Sequence, residues 1–332
     1  MNRLLARART LLARVPRSAV RATGALLAVA TAAFVVVEVV DQWDGLVDAV
    51  TAAEPWWLVA SFAAFALAEA GYALVWPATL GRAGHPVPPG LGGATFLVTQ
   101  TAKFVPGSVW QHVGRVGTSP RLGVPKRVTA GALLVEVGAS VAAALFLAGL
   151  LGTAGPLLVD DVGPVVRSLE VVAGAAALLI VPLLASRAGA RVAGGPLLSS
   201  GGLAAVVGLH VAVWAGYGSA AALLSVGLDG PFLPTVGAFC LSWVAGLVVV
   251  GAPAGLGVRE AVMAAALTPV AGADVALAVT IGSRALWTAV QLLGAGLGLG
   301  YLARRGGPTA GEPVAAARPE ATGTADPPSV PC

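Results

Sequence analysis

The sequence predicts an all-α polytopic membrane protein with about eight transmembrane helices and with re-entrant or broken helices near residues 91–116 and 252–262. Three observations support this fold class. The chain is 57% hydrophobic and only 11% charged, whereas a soluble domain carries about 25% charged residues. Several apolar runs reach roughly 20 residues, a length that crosses a hydrocarbon core about 30 Å thick. Basic loops also alternate with acidic or neutral loops along the chain.

The chain begins with a basic segment, residues 1–21, that contains arginines and no acidic residue. An apolar run follows at residues 22–40, and its triplet at 28–30 (Ala-Val-Ala) resembles the cleavage site of a secretory signal. Because the triplet lies in the middle of the run, the sequence favours an uncleaved first span. Residues 1–21 are then a cytoplasmic N-terminus, and the acidic loop at 41–54 is external.

Six further spans are predicted from apolar runs of suitable length, and a shorter apolar piece at residues 260–272 completes the count of about eight crossings. The spans are residues 56–80, 128–152, 164–185, 203–226, 232–252 and 276–301. Alternation of the loops places both termini in the cytoplasm of a multi-pass plasma-membrane protein. The tail, residues 304–332, is rich in Pro, Ala, Gly and Thr and is predicted to be disordered and cytoplasmic.

The first interrupted segment contains TAKFVPGSVWQHVGR, residues 101–115. Pro106 and Gly107 suit the start of a new helix, because the amide that proline lacks would be unpaired there in any case. Such a helix places Ser108, Gln111, His112 and Arg115 on one stripe. It places Val109, Val113 and Val116 largely on the other side. Together with Lys103 and the positive end of the half-helix, this stripe suits an anion such as a phosphate. The alternative is a cytoplasmic loop whose basic residues follow the positive-inside rule.

The second interrupted segment, GAPAGLGVREAVMAAAL, repeats this pattern at residues 251–267. Pro253 and the glycines precede a helix that opens with Arg259 and Glu260, and amides around Gly257 would help to hold a phosphate. Two Gly/Pro-interrupted segments in the two halves of a membrane protein point to one central binding site.

Polar residues within the spans are expected to face the interior of the bundle, because a charge near the bilayer centre is expensive. Glu136 and Arg284 are predicted to line the cavity and to balance Arg259 and Glu260. The alternative is that these residues hold helices together, and for Glu69 this structural role is favoured.

The motifs KFVPGSVWQHVGR and PAGLGVRE resemble the two signature segments of the flippase-like membrane domain of lysylphosphatidylglycerol synthases. The resemblance covers residues 22–303 and implies a stand-alone member that lacks the soluble synthase domain. Other branches of the family carry a Gly-Glu pair before the arginine, where this chain has Gln111-His112. The predicted lipid-binding residues are Lys103, Pro106, Gly107, Gln111, His112, Arg115, Glu136, Pro253, Gly257, Arg259, Glu260 and Arg284.

The predicted function is that of a flippase or translocase for a phosphate-bearing lipid, either a phospholipid or a polyprenyl-phosphate. No HExxH, GxSxG or CxxC motif occurs, and three histidines do not form a zinc pattern, so neither catalysis, a metal nor a cofactor is expected. The net charge of +4 follows from topology and does not indicate nucleic acid. Two alternatives are an accessory subunit that scaffolds an envelope-synthesis enzyme and a polyprenyl-phosphate glycosyltransferase.

Overall fold

The computed structural model describes residues 47, 51, 54–104, 109–151, 163–248, 255 and 257–305. Within these residues the chain is helical and contains no β-strand. The α-helices are, in chain order, α1 (Pro55–Arg82), α2 (Pro89–Gln100), α3 (Trp110–Thr118), α4 (Lys126–Leu150), α5 (Pro164–Ala193), α6 (Ser200–Val226), α7 (Phe232–Val248), α8 (Val258–Ala271) and α9 (Ala273–Arg304). Short 3-10 helices follow α2 and α3 at Thr101–Phe104 and Ser119–Leu122.

Five of these helices, α1, α4, α5, α6 and α9, are long and apolar enough to cross a membrane. The prediction of an all-α membrane protein is therefore confirmed, and each of the five coincides with a predicted span. Helix α5 runs past the predicted end at residue 185, because its apolar face continues to Gly194, whose left-handed conformation ends the helix. The predicted spans at residues 22–40 and the tail from residue 306 lie outside the described residues, so the count of eight crossings stays a prediction.

The long helices pack antiparallel, which gives the bundle two chemically different ends. The Ser61 hydroxyl on α1 donates to the Ala220 carbonyl on α6 over 2.7 Å. Helices α4 and α5 approach so closely that a Cβ on Gly131 would lie 2.6 Å from the carbonyl oxygen of Gly189. The end formed by the C-termini of α1, α5 and α9 carries Arg82, Arg121, Lys126, Arg127, Arg187, Arg191, Arg304 and Arg305 and is called the basic end. The opposite, acidic end carries Glu54, Glu170, Asp229 and Asp274, with Arg167 as its one described base.

The first of two short-helix hairpins, α2 and α3, enters the bundle from the basic end. Its first helix runs along α9, since Gly90 lies against Tyr301 and Gly294 lies against Leu97. After the 3-10 helix at Thr101–Phe104, α3 returns, and Gly114 lies beside Thr99. The predicted break at residues 91–116 is therefore present as an interruption between two helices.

The second hairpin, α7 and α8, enters from the acidic end. Gly230, just before α7, lies against Val275 at the start of α9, whereas the inner end of the hairpin brings Gly246 against Gly255. Helix α7 is described as far as Val248, and α8 begins at Val258; residues 249–252, the end of the predicted span, lie outside the described residues. Tyr72 packs against both hydrophobic core clusters of the bundle, between the inner ends of the hairpins. Whether the hairpins are re-entrant in a membrane stays a prediction.

Candidate functional site

The inner ends of the two hairpins meet at a cavity of about 80 Å³ in the middle of the bundle. The first hairpin contributes Gln100 and Lys103 to its wall, and the second contributes Gly246 and Arg259. Trp287 closes the wall from the middle of α9, roughly 20 Å from either end of that helix at 1.5 Å per residue. The volume accommodates several water molecules or a small polar group.

Two basic side chains, one from each hairpin, lie over the indole ring of Trp287. The Lys103 ammonium is 4.5 Å from the ring centroid, and the Arg259 guanidinium carbon is 4.4 Å from it. Arg259 also lies 4.8 Å from the ring centroid of Phe239 and is 7% exposed. Cation–π attraction of roughly 0.5 to 2 kcal/mol per contact therefore holds both cations at the same place.

Trp287 is itself held by Glu69, which lies near the middle of α1. One carboxylate oxygen, Oε2, accepts hydrogen bonds from the Tyr217 hydroxyl at 2.6 Å and the Trp287 indole N–H at 3.1 Å. The Gln291 side-chain amide donates a third hydrogen bond at 3.4 Å. The other oxygen, Oε1, is buried and accepts no hydrogen bond from the described residues. Glu69 thereby joins α1, α6 and α9, as expected for a structural residue.

Arg115 is enclosed by neighbours on two other helices, α2 and α4. Its Nη1 donates to Glu136 Oε2 and its Nη2 donates to Gln100 Oε1, both over 3.3 Å. Its guanidinium carbon also lies 4.6 Å from the ring centroid of Phe96. The ion pair is dry, since the two side chains are 1% and 3% exposed. Glu136 thus balances Arg115 rather than Arg259, the partner that the sequence predicted.

Arg284 and Glu260 form the second ion pair of the described residues, at 3.2 Å between Nη1 and Oε1. This pairing agrees with the prediction that Arg284 balances Glu260. The other oxygen of Glu260 accepts a hydrogen bond from the backbone N–H of Gly257 over 2.7 Å and so caps the N-terminus of α8. The Gly257 N–H is therefore occupied by Glu260, and the prediction that amides around Gly257 help to hold a phosphate stays a prediction.

The cavity wall is strongly basic in the part of the chain that the structure describes. It includes Lys103, Arg115, Arg259 and Arg284 but no carboxylate. Glu136 and Glu260 pair with two of these four bases from behind the wall. Among the described residues, no carboxylate lies within salt-bridge distance of Lys103 or Arg259. The chemistry of the wall therefore suits an anion that contacts these two side chains.

Helix α3 presents two chemically different faces, as its sequence predicted. Gln111 and His112 line the cavity together with Arg115. Val109 and Val113 lie on the other side of the helix and are exposed. The polar stripe is therefore placed against the cavity by the helical spacing of residues 111, 112 and 115.

The structure brings most of the predicted site residues to this cavity. Lys103, Gln111, His112, Arg115, Arg259 and Arg284 line its wall. Glu136, Glu260 and Gly257 lie behind the wall and hold those residues in place. Pro106, Gly107 and Pro253 lie outside the described residues.

Sequence reasoning missed the aromatic residues of the wall, above all Trp287, and it missed Gln100. Its position was readable from spacing, because Arg284, Trp287, Thr288 and Gln291 follow the i, i+3, i+4, i+7 pattern of one helix face. All four residues line the cavity. Tyr72 and Gln100 were missed because they lie on other helices, α1 and α2, whose position at the cavity was not predicted.

Within the described ranges, no group of three or more His, Cys, Asp and Glu side chains could hold a metal ion. The basic wall instead offers hydrogen-bond donors and positive charge. Comparison of the chain with protein-family models found no match, and comparison with curated proteins found none either. The function is therefore argued from the site itself.

Proposed function

We propose that this protein binds a phosphate-bearing membrane lipid, a phospholipid or a polyprenyl-phosphate, and moves it across the bilayer as a flippase. The observation that carries the proposal is the meeting of Lys103 and Arg259 over one tryptophan, each at the inner end of a different hairpin. The resemblance of these two segments to the flippase-like membrane domain of lysylphosphatidylglycerol synthases supports the same function.

The charge balance of the cavity supports an anionic ligand. A cation near the middle of a membrane costs roughly 2.5 to 3.5 kcal/mol or more when it has no partner. Lys103 and Arg259 form no ion pair with the described residues, whereas Arg115 and Arg284 each do. A bound phosphate supplies the missing negative charge, and Arg259 offers a planar fork of donors that fits two phosphate oxygens.

The position of the cavity supports transport rather than binding at a surface. The wall is built from two hairpins that enter from opposite ends of the bundle, and Trp287 lies near mid-depth. In this proposal the hairpins are re-entrant, and withdrawal of either one opens the cavity to its own side. The positive-inside rule places the basic end in the cytoplasm of the cell that carries the protein in its plasma membrane.

The residues take different roles in this proposal. Lys103 and Arg259 hold the phosphate, and Gln111 and His112 supply hydrogen-bonding groups at the wall. Arg115 adds positive potential while Glu136 and Gln100 fix its orientation. Glu260 and Arg284 position the first turn of α8, from which Arg259 projects.

The proposal is tested by the affinity of purified protein in nanodiscs for fluorescent phosphatidic acid. A charge-assisted hydrogen bond contributes roughly 1.5 to 3 kcal/mol, so Lys103→Gln and Arg259→Gln should each weaken binding by about 10- to 150-fold. Arg305→Gln is the matched control, because Arg305 also lies over an aromatic ring, at 5.1 Å from Tyr301, but at the basic end.

The transport step is measured in vesicles that contain the protein, as quenching of fluorescent phosphatidic acid that reaches the outer leaflet. Wild type and Arg305→Gln should exchange the lipid, and Arg259→Gln should not. Wild-type affinity in both Lys103→Gln and Arg259→Gln would refute the site. If Lys103→Gln and Arg259→Gln weaken binding as expected but the wild-type protein moves no lipid, the protein binds the lipid without transporting it. That result would refute the flippase proposal.

A further inference from the structure

A groove of about 490 Å³ runs along the outside of the bundle between α3 and α4. Its walls are Val109, Val113 and Val116 on α3 and Leu133, Leu134 and Val137 on α4. Small residues keep it open, because Gly117 and Ala130 lie along it and nothing lies within 4 Å of a Cβ placed on Gly117. The groove is therefore an open, largely apolar channel on the flank of the first hairpin.

The groove adjoins the basic cavity. His112 and Val137 line both, so a single layer of side chains separates the polar cavity from the apolar channel. Helix α3 forms this boundary with its two faces, polar toward the cavity and valine-rich toward the groove. A molecule that occupies both spaces must itself be polar at one end and apolar at the other.

The groove has the length of one leaflet. It extends along α4 from Val137 to Lys126, about 16 Å at 1.5 Å per residue, or about half of a 30 Å hydrocarbon core. Its open side exposes Val113 and Leu134. A partner helix, roughly 10 Å across with its side chains, would lie over these residues rather than reach the cavity. A flexible hydrocarbon chain fits the channel and can enter it sideways from the bilayer.

We infer that the groove between α3 and α4 holds the hydrocarbon tail of the lipid whose phosphate occupies the cavity. This inference rests on the proposed function and adds the path that the lipid takes: the headgroup enters the bundle past His112 between α3 and α4, and the tail stays in the groove. Lipid tails in the bilayer are as apolar as the groove, so transfer of a tail into the groove gains little free energy. The groove therefore sets the position of the tail and adds little to the affinity.

The experiment uses two probes with the full-length protein in nanodiscs. The first is a phosphatidic acid with a photoreactive diazirine in one long chain, and its crosslinks are located by mass spectrometry. The second is dibutyryl phosphatidic acid, which carries the same phosphate on chains too short to follow the groove. Crosslinks of the long probe should fall on the valines of α3 and on Leu134.

Variants that fill the groove separate the tail from the headgroup. Val113→Trp and Leu134→Trp should abolish the groove crosslinks while binding of the short probe stays at the wild-type level. Leu183→Trp is the matched control, since Leu183 is as exposed as these residues but lies on α5. Arg259→Gln should lose the short probe, because it removes a cavity residue and leaves the groove intact.

The outcomes distinguish the two proposals. If the short probe binds but the crosslinks of the long probe fall outside α3 and α4, the groove does not hold the tail. Phosphate binding in the cavity is then still supported. If a diacylglycerol with the same diazirine chain labels the groove equally well, the groove binds hydrocarbon tails whether or not they carry a phosphate. That result would overturn the inference. Dimers crosslinked through a photoreactive residue at position 113 would assign the groove to a second copy of the chain. Absence of binding by either probe would overturn the proposed function and the groove together.

Discussion

The indole N–H of Trp287 donates a hydrogen bond to the buried carboxylate of Glu69 over 3.1 Å. The same ring lies beneath the Lys103 ammonium and the Arg259 guanidinium. The hydrogen bond orients the ring from its edge, and the electron-rich face of the indole attracts both cations. Glu69 thus acts on both cations through Trp287 without an ion pair to either.

Two substitutions of Glu69 should distinguish the contribution of its hydrogen bonds to stability from the contribution of its charge. Glu69→Ala leaves the Tyr217, Trp287 and Gln291 donors without an acceptor, and each buried unsatisfied donor costs about 1 to 3 kcal/mol. We expect the free energy of unfolding to fall by at least about 3 kcal/mol. Glu69→Gln keeps a carbonyl acceptor and should lose less. Unfolding of the purified protein by denaturant in one fixed detergent measures both.

Glu54→Ala is the control for this pair, because Glu54 is exposed at the start of α1 and should change the free energy of unfolding little. Wild-type stability in Glu69→Ala would mean that the three hydrogen bonds contribute nothing to the fold.

The buried Arg115–Glu136 pair leads to a second prediction. Removing one partner of a buried ion pair leaves an uncompensated charge and costs about 3 to 5 kcal/mol. Arg115→Gln and Glu136→Gln should each be strongly destabilised, and the double variant should lose less than the sum of the two. Denaturant unfolding of the four proteins gives this coupling energy.

Arg259→Gln is the contrast, because Arg259 has no salt-bridge partner among the described residues. Its loss should leave the free energy of unfolding unchanged or raise it, since an uncompensated buried cation disappears. Additive effects of the Arg115 and Glu136 substitutions would contradict a coupled pair.

Local sequence pattern predicted the helices and the two faces of α3. Helical periodicity depends on neighbours three and four residues apart, so residues 111, 112 and 115 could be assigned to one stripe from sequence alone. The interruptions at both hairpins followed in the same way from proline and glycine beside apolar runs. Residues of the cavity wall were therefore predictable where they lie on the same helix.

The partners of the buried charges were not predictable in this way. Sequence spacing alone does not distinguish Glu136 from Glu69 as the partner of Arg115. The packing of α3 against α4 brings Glu136 to Arg115. Likewise, Glu69 meets Trp287 across more than two hundred residues of chain. Such contacts depend on which helices are neighbours in the bundle, and one sequence does not specify that arrangement.

The topology can be tested on the two ends of α9. Basic residues lie at the end of the bundle where α9 finishes, so the positive-inside rule predicts that Ala303 faces the cytoplasm and Ala273 faces outward. Both residues are exposed. In a Cys332→Ser background, a membrane-impermeant maleimide should label Ala273→Cys in intact cells and Ala303→Cys only after permeabilisation.

Buried Cys240 should stay unlabelled in the background protein, and both single-cysteine variants should react once the membrane is dissolved. Labelling of Ala303→Cys in intact cells, with Ala273→Cys protected, would invert the proposed orientation of the whole bundle.

The final prediction concerns Gly255, at the inner end of the second hairpin. Its φ of +72° is in the left-handed region, and a Cβ there would lie 2.7 Å from the Cα of Gly246. Gly123, between α3 and α4, is a matched control, because its φ is +75° and nothing lies within 4 Å of a Cβ. Alanine at either position bears the left-handed backbone penalty of about 1 to 2 kcal/mol.

Gly255→Ala alone adds a steric overlap with backbone, for which overpacking costs of about 1 to 3 kcal/mol are typical. Relief of that overlap separates α7 from the start of α8 and moves Arg259 away from Trp287, because Arg259 lies in the first turn of α8. We therefore expect Gly255→Ala to unfold more readily than Gly123→Ala in denaturant and to bind dibutyryl phosphatidic acid more weakly, while Gly123→Ala retains wild-type affinity. Equal stability and equal affinity in the two variants would show that the close approach of Gly246 and Gly255 does not position Arg259.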